Sequence, residues 1–187
     1  ALRTSRSARE TLIAPLANGL GEATLRDPIA QLLVDTPVWK EDFLEYVAQD
    51  SRNAKAGALF FQTARARRVE IPEKLDALLI SRLTSSGDFE DAWAHYASYR
   101  GDVDRSRGRD PAFQQDDIDR ADFDWHFIAG SGVSADILRN GREGEFAYAA
   151  PSSYSGPLLR QRQMLPPGNY RLKGSGREIA QSPTDLP

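Results

Sequence analysis

The strongest constraint in this sequence is a change of apolar period part-way along the chain. Up to residue 100, apolar residues recur every three or four positions, the spacing of one helix face; from residue 123 they recur every second position, the spacing of one strand face. A stripe and an alternating face cannot bury on the same backbone. The change therefore predicts an α+β chain in two parts, helical hairpins over residues 1–100 and strands over 123–176.

Within the helical part, Thr36-Pro37 reads as a helix start, with Trp39, Phe43, Leu44 and Val47 on one side of the helix that follows. Asp27-Pro28 carries the same start signal, an N-cap before a proline, ahead of Ile29, Leu32 and Leu33. Before it, Leu12, Ile13, Leu16 and Leu20 are at helical spacing, with Pro15 limiting regularity and Gly19 and Gly21 as stops. Asn53 opens a further helix whose buried set is Ala56, Leu59, Phe60 and Ala64. Arg65, Arg67 and Arg68 fall at its C-terminal end, where cations suit the macrodipole, and read as a solvated helix end.

The most legible pair follows. Leu75, Leu78, Leu79 and Leu83 line one helix, Gly87 makes the turn, Asp88 caps, and Phe89, Ala92, Trp93 and Tyr96 line the next. The run Leu79, Leu83, Gly87-Asp88-Phe89-Glu90-Asp91-Ala92-Trp93 and Tyr96 resembles the centre of a tetratricopeptide repeat. Gly87 stands where that family ends its first helix, Ala92 where a small residue lets the helices approach, and Tyr96 where an aromatic follows. The resemblance covers about one repeat of roughly 30 residues. It implies an irregular array of such hairpins, a scaffold that presents a groove to a protein partner.

Residues 101–122 hold seven aspartates and few apolar anchors, Val103, Phe113 and Ile118. They read as an acidic linker laid over the surface. The aspartates do not make an EF-hand, which needs a Gly at the sixth position and a Glu at the twelfth, and neither Asp102 nor Asp110 starts such a loop.

Beyond it, Phe123, Trp125 and Phe127 alternate with Asp124, His126 and Ile128; Val133, Ala135 and Ile137 alternate with Ser134, Asp136 and Leu138. Phe146 with Tyr148, then Leu159 with 161–164, then Tyr170 with Leu172 follow. Turn signals at Gly130-Ser131-Gly132, Asn140-Gly141, 152–157 and Pro166-Pro167-Gly168 separate them. Short regular strands of this kind predict an antiparallel sandwich. The phrase Leu165-Pro166-Pro167-Gly168-Asn169-Tyr170-Arg171-Leu172, with Phe123-Asp124-Trp125 as a first strand, is similar to the jelly rolls of carbohydrate-binding modules and related galactose-binding-like domains. That resemblance implies a module able to contact glycan. Only about five strands fit, against about eight in a full jelly roll, so the sheet is expected to be incomplete, with open edges for another chain. Residues 177–187 read as a flexible tail.

Length and composition agree with two packed parts. The 187 residues are 40% hydrophobic and 27% charged, which permits a core. Lys/Arg and Asp/Glu number 13 and 14 over residues 1–100, 4 and 7 over 101–122, and 7 and 6 over 123–187, so no segment has the basic excess that nucleic-acid binding leans on. There is no Cys, hence neither disulfide nor thiolate metal site, and no apolar run long enough for a membrane helix. The chain begins at Ala1 without a Met, which is compatible with a removed leader or N-terminal region.

No residue set points to catalysis. His95 reads as a surface or interface residue, and His126 as outward-facing beside Asp124, where a carboxylate, an imidazole and Asp136 could converge but no nucleophile is placed with them. Trp39, Phe43, Phe60, Phe61 and Trp93 read as core. Trp125, Tyr148, Tyr154 and Tyr170, in or between strands, are the candidate ligand-binding residues; no catalytic residue, metal or cofactor is expected. The sequence therefore predicts a non-enzymatic binding or scaffold protein, with a protein partner and a glycan as candidate ligands, and an envelope or exopolysaccharide setting implied by the resemblance. The rival reading is a structural subunit, homo- or hetero-oligomeric, whose open sheet another chain completes.

Overall fold

The computed structural model describes residues 6–101, 103–115, 121–128, 130, 132–141 and 143–177. These form an α+β chain: helices α1 (Arg6–Gly19), α2 (Ala23–Val34), α3 (Lys40–Gln49), α4 (Ala54–Ala66), α5 (Glu73–Ser85) and α6 (Phe89–Arg100), then strands β1 (His126–Phe127), β2 (Ser134–Asn140), β3 (Glu143–Ala149) and β4 (Leu159–Arg160). Aspartates 102, 116, 117 and 119, Ile118, Ser131 and the tail beyond residue 177 lie outside the described residues.

The helices stack in two rows. α1, α3 and α5 touch in turn along one, α2, α4 and α6 along the other, and α5 packs on both α4 and α6. The predicted apolar faces explain this, because each helix buries a stripe that only neighbours in both rows can cover. Phe43 sits at the centre, meeting Trp39 and Phe60 edge-on, each at 5.7 Å between ring centroids. Replacing such a ring by Ala costs about 3–5 kcal/mol. Gly87 closes the α5–α6 turn at φ +84°, a conformation that a side chain disfavours.

Several local expectations are corrected. α2 starts at Ala23, so Pro28 lies inside it and Asp27 is not its cap; Asp27 instead faces the Arg67 guanidinium, with Arg67 Nε 2.8 Å and Nη2 2.6 Å from its carboxylate oxygens. Pro15 likewise lies inside α1. Leu59 is exposed, because α4 turns Phe60 and Phe61 inward from adjacent positions and only one flank remains for the core.

The strands form two separate two-stranded antiparallel sheets. β1 pairs with β4 through His126 with Arg160 and Phe127 with Leu159. β2 and β3 form a hairpin, Ser134 opposite Ala149 through Asn140 opposite Glu143, with Gly141 at its tip at φ +70°. The alternation at Tyr170 and Leu172 makes no strand here: residues 161–177 carry none, and Leu172 is wholly exposed. Arg177, at the start of the expected tail, is paired with Glu145 of β3.

The described part of residues 101–125 is more than a surface linker. Ala121 and Phe123 are buried, and the Phe123 ring lies 5.0 Å from Trp93 and 5.2 Å from Tyr96. This strap covers the end of the helical array and carries the chain from α6 into the sheets.

Candidate functional site

Three places gather chemistry: a buried polar clasp, an aromatic face on the hairpin, and an open cleft between α3 and α5.

The clasp is built from residues one helical turn apart. Tyr96 and Arg100 project from one face of α6, and Asp124 of the strap sits between them. Tyr96 Oη donates to Asp124 at 2.6 Å, Arg100 Nη2 and Arg109 Nε each donate at 3.2 Å, and the Ala121 amide donates at 3.0 Å. Asp124 is 2% exposed, so two cations, a phenol and an amide surround a carboxylate closed off from solvent. The Arg100 and Arg109 guanidiniums also lie over the Tyr96 ring, at 5.9 and 5.5 Å from its centroid. Burial pushes the Tyr96 phenol above the usual tyrosine range, and its bond to the Asp124 carboxylate adds to the shift. Burial does the same to Tyr99.

Two further carboxylates extend the network. Asp76 of α5, fully buried, accepts from His95 Nε2 at 2.9 Å and pairs with Arg65 of α4, whose guanidinium lies 5.1 Å over the Tyr99 ring. Asp122 accepts from Thr84 Oγ1 at 2.6 Å and Arg162 Nη1 at 2.7 Å, and its carbonyl accepts the Arg162 amide at 3.2 Å, tying β4's continuation to α5.

These bonds correct three readings. His95 is not a surface residue; it has no exposure, because the α5–α6 turn directs it at Asp76. Arg65 is not part of a solvated helix end, since it turns inward to the buried Asp76, whereas Arg67, paired with Asp27 at the surface, and Arg68 stay exposed as expected. His126 does not face outward with Asp124 as a pair: its Nε2 donates to the Ala121 carbonyl at 2.7 Å, while Asp124 turns inward to α6. Alternation along 123–127 fails at Asp124, where a turn closed by the Asp124 amide on the Ala121 carbonyl at 2.8 Å redirects the chain.

The aromatic face lies on the other side of that turn. Ala135, Ile137, Phe146 and Tyr148 point to one side of the hairpin. Phe146 stacks with Phe127 at 5.8 Å and with Tyr148 at 5.9 Å, the ring planes within 27° and 24° of parallel. Phe113 lies 5.2 Å from Trp125 and 6.5 Å from Phe146 and joins Trp125 to the row. Gly144 makes this possible: a Cβ there would fall 2.4 Å from the Phe113 carbonyl oxygen, so only glycine lets β3 come so close, and its amide donates to the Ala112 carbonyl at 2.8 Å. None of the five rings is buried, and Tyr148 is 44% exposed, whereas Phe43, Phe60 and Phe61 in the helices are wholly buried.

Of the four sequence candidates, the structure joins two. Trp125 and Tyr148 belong to the aromatic face, though the Trp125 indole N–H is committed to the Asp110 carbonyl at 3.0 Å. Tyr154 stands apart, its hydroxyl donating to Pro157 O at 3.0 Å and Ile128 O at 3.4 Å. Tyr170 folds back onto its own Pro-Pro-Gly turn, donating to Pro166 O at 2.5 Å. Phe113, Phe127 and Phe146 were not singled out as ligand residues. The period-two spacing carried the last two, and nothing local marks Phe113, which reaches the hairpin from the acidic segment.

The cleft holds about 490 Å³ between α3 and the start of α5, with Leu44, Ile71, Pro72 and Leu75 at its apolar side and Lys40, Glu41, Glu45, Glu70 and Lys74 around it. Among the described residues no group of three or more His, Asp or Glu side chains is arranged to hold a metal, and no helix is long and apolar enough to cross a membrane. The chain matches no protein-family model, no curated protein and no solved structure.

Proposed function

We propose that this chain is a non-enzymatic binding and scaffold protein in which the helical array is a rigid platform and the hairpin presents its aromatic face to a glycan. The observation that carries the reading is the row Trp125, Phe113, Phe146, Phe127 and Tyr148, five adjacent rings partly open to solvent, whereas Phe43, Phe60, Phe61 and Tyr96 at the centre of the helices are wholly buried. A sugar ring presents C–H groups that stack on such rings, and several adjacent rings, of which Phe127, Phe146 and Tyr148 stack in sequence, suit successive units of a polysaccharide. The clasp supports the same reading, because Asp124 is engaged in holding the strap to α6, Asp76 and His95 bond each other between α5 and α6, and His126 Nε2 is bonded to the Ala121 carbonyl.

The two-row packing of α1 to α6 and the Gly87 turn support the tetratricopeptide-like reading of residues 6–100, with the cleft beside α3 and α5 as the place for a segment of a protein partner. What supports the jelly-roll-like reading of residues 123–176, and with it an envelope or exopolysaccharide setting, is the alternation of β2 and β3 and their single aromatic face; residues 161–176 carry no strand. The test is a glycan array probed with the whole chain and with Tyr148→Ala. Binding by the former, lost in the latter, is the expected result; an array with no bound glycan overturns the reading.

A second reading has its own observation. Among the described residues the hairpin has two strands; Ala112 occupies the β3 edge at Gly144, and the β2 edge has no strand beside it, which leaves it open for a further strand, as in a structural subunit completed by another chain.

A further inference from the structure

The hairpin's open edge and the segment after β4 fit each other. Residues 165–176 make no backbone-to-backbone hydrogen bond among the described residues, and within them Tyr170 is 47% and Leu172 100% exposed. Although it carries no strand here, an alternating segment with a bare Leu has the pattern of a strand that lacks a partner. On the other side, among the described residues β2 pairs with β3 alone, and the Ile137 amide points away from β3 to the carboxylate of its own neighbour Asp136, at 2.8 Å.

We propose that residues 169–173 of one copy of this chain add as an antiparallel strand to the β2 edge of a second copy, the two copies exchanging strands. The inference rests on the second reading above and names its partner. Set Tyr170 opposite Ile137 and Leu172 falls opposite Ala135, so both apolar side chains extend the face that already holds Phe146 and Tyr148. The same register puts Arg171 opposite Asp136 on the other face, an opposite-charge cross-strand pair that replaces the carboxylate's bond to the Ile137 amide. Lys173 then lies opposite Ser134. A one-residue slip would place Leu172 on the charged face and Arg171 against the rings, so charge and apolarity select one register. Within its own copy the donor is tied to the strap and to β3 rather than to β2. Its near end is fixed where Arg105 Nε donates to the Met164 carbonyl at 3.1 Å, and its far end is held at Glu145 of β3, across the hairpin from β2, by the Arg177 guanidinium at 2.6 Å. Reciprocal exchange satisfies both edges with a single two-fold interface.

Analytical ultracentrifugation of the full chain over a concentration series tests this. The wild type is expected to sediment as a dimer of twice 20.7 kDa. Leu172→Asp, at a wholly exposed position that leaves the fold intact by circular dichroism, should weaken dimerisation at least about tenfold. Arg171→Asp should weaken it about three- to tenfold, and joining it to Asp136→Arg should restore it. A dimer indifferent to Leu172→Asp and to the charge swap overturns the inference while leaving the open-edge reading with another occupant. A monomer at every concentration whose Ala135 and Ile137 amides are protected from hydrogen exchange overturns both.

Discussion

Replacing Asp124 by Asn removes the charge from the clasp and little else. The side chain keeps its shape, but Arg100 and Arg109, with side chains 9% and 13% exposed, lose their shared counter-charge, and an amide N–H₂ turns toward groups that are all donors. Breaking a buried ion pair by removing one partner costs about 3–5 kcal/mol. Because both guanidinium distances are 3.2 Å, longer than the best charge-assisted bonds, the lower end applies, about 3 kcal/mol. Tyr96→Phe removes one short bond to the same carboxylate and should cost about 2 kcal/mol. The two share a partner, so the double variant should lose about 3–4 kcal/mol rather than the sum. Urea unfolding followed by tryptophan fluorescence suits the case, since Trp93 packs against Phe123 of the strap. A loss under about 1 kcal/mol for Asp124→Asn, or strict additivity with Tyr96→Phe, would refute the argument that Asp124 holds the strap to the helices.

Other consequences are as specific. The phenols of Tyr96 and Tyr99 are pushed up chiefly by burial, so the folded protein keeps these protons longer than the unfolded chain; their contribution is complete below about pH 10 and declines above it by about 1.4 kcal/mol per pH unit for each tyrosine. Tyrosinate absorbance from Tyr96 and Tyr99 in an alkaline titration should lag until the protein unfolds, and their ionisation near pH 10 in the folded state, read as the difference from Tyr96→Phe and Tyr99→Phe, would contradict this. Gly144→Ala drives a methyl into the Phe113 backbone, so it should cost about 1–3 kcal/mol or free the hairpin, seen as lost amide protection across β2 and β3. Tyr148→Ala, at a half-exposed position, should change stability by less than about 1 kcal/mol, and a larger loss in thermal unfolding would assign the ring to the core.

The helical half was legible because its information is local. Phe43, Leu44, Val47, Leu79 and Leu83 sit at spacings that only a helix can bury, and all five are buried. Helix starts were read less well: Pro28 follows an apparent cap but lies inside α2, where packing of Ile29, Ala30 and Leu33 outweighs one lost hydrogen bond. The polar clasp was not legible, because its partners are far apart in sequence. Nothing near His95 announces Asp76, and nothing near Asp124 announces Tyr96 or Arg109; each bond depends on how helices and strap pack. The aromatic face was half legible for the same reason, since alternation marks Phe127 and Tyr148 while Phe113 arrives from elsewhere.

The measurement that bears most directly on the proposed function is affinity electrophoresis of the whole chain through gels containing soluble polysaccharides, run beside Tyr148→Ala. Retardation of the wild type by at least one polysaccharide, weakened about tenfold in Tyr148→Ala with the melting temperature unchanged, is the result predicted for an open aromatic face that stacks on sugar rings. Migration unaffected by every polysaccharide, or retardation that Tyr148→Ala leaves intact, would contradict it.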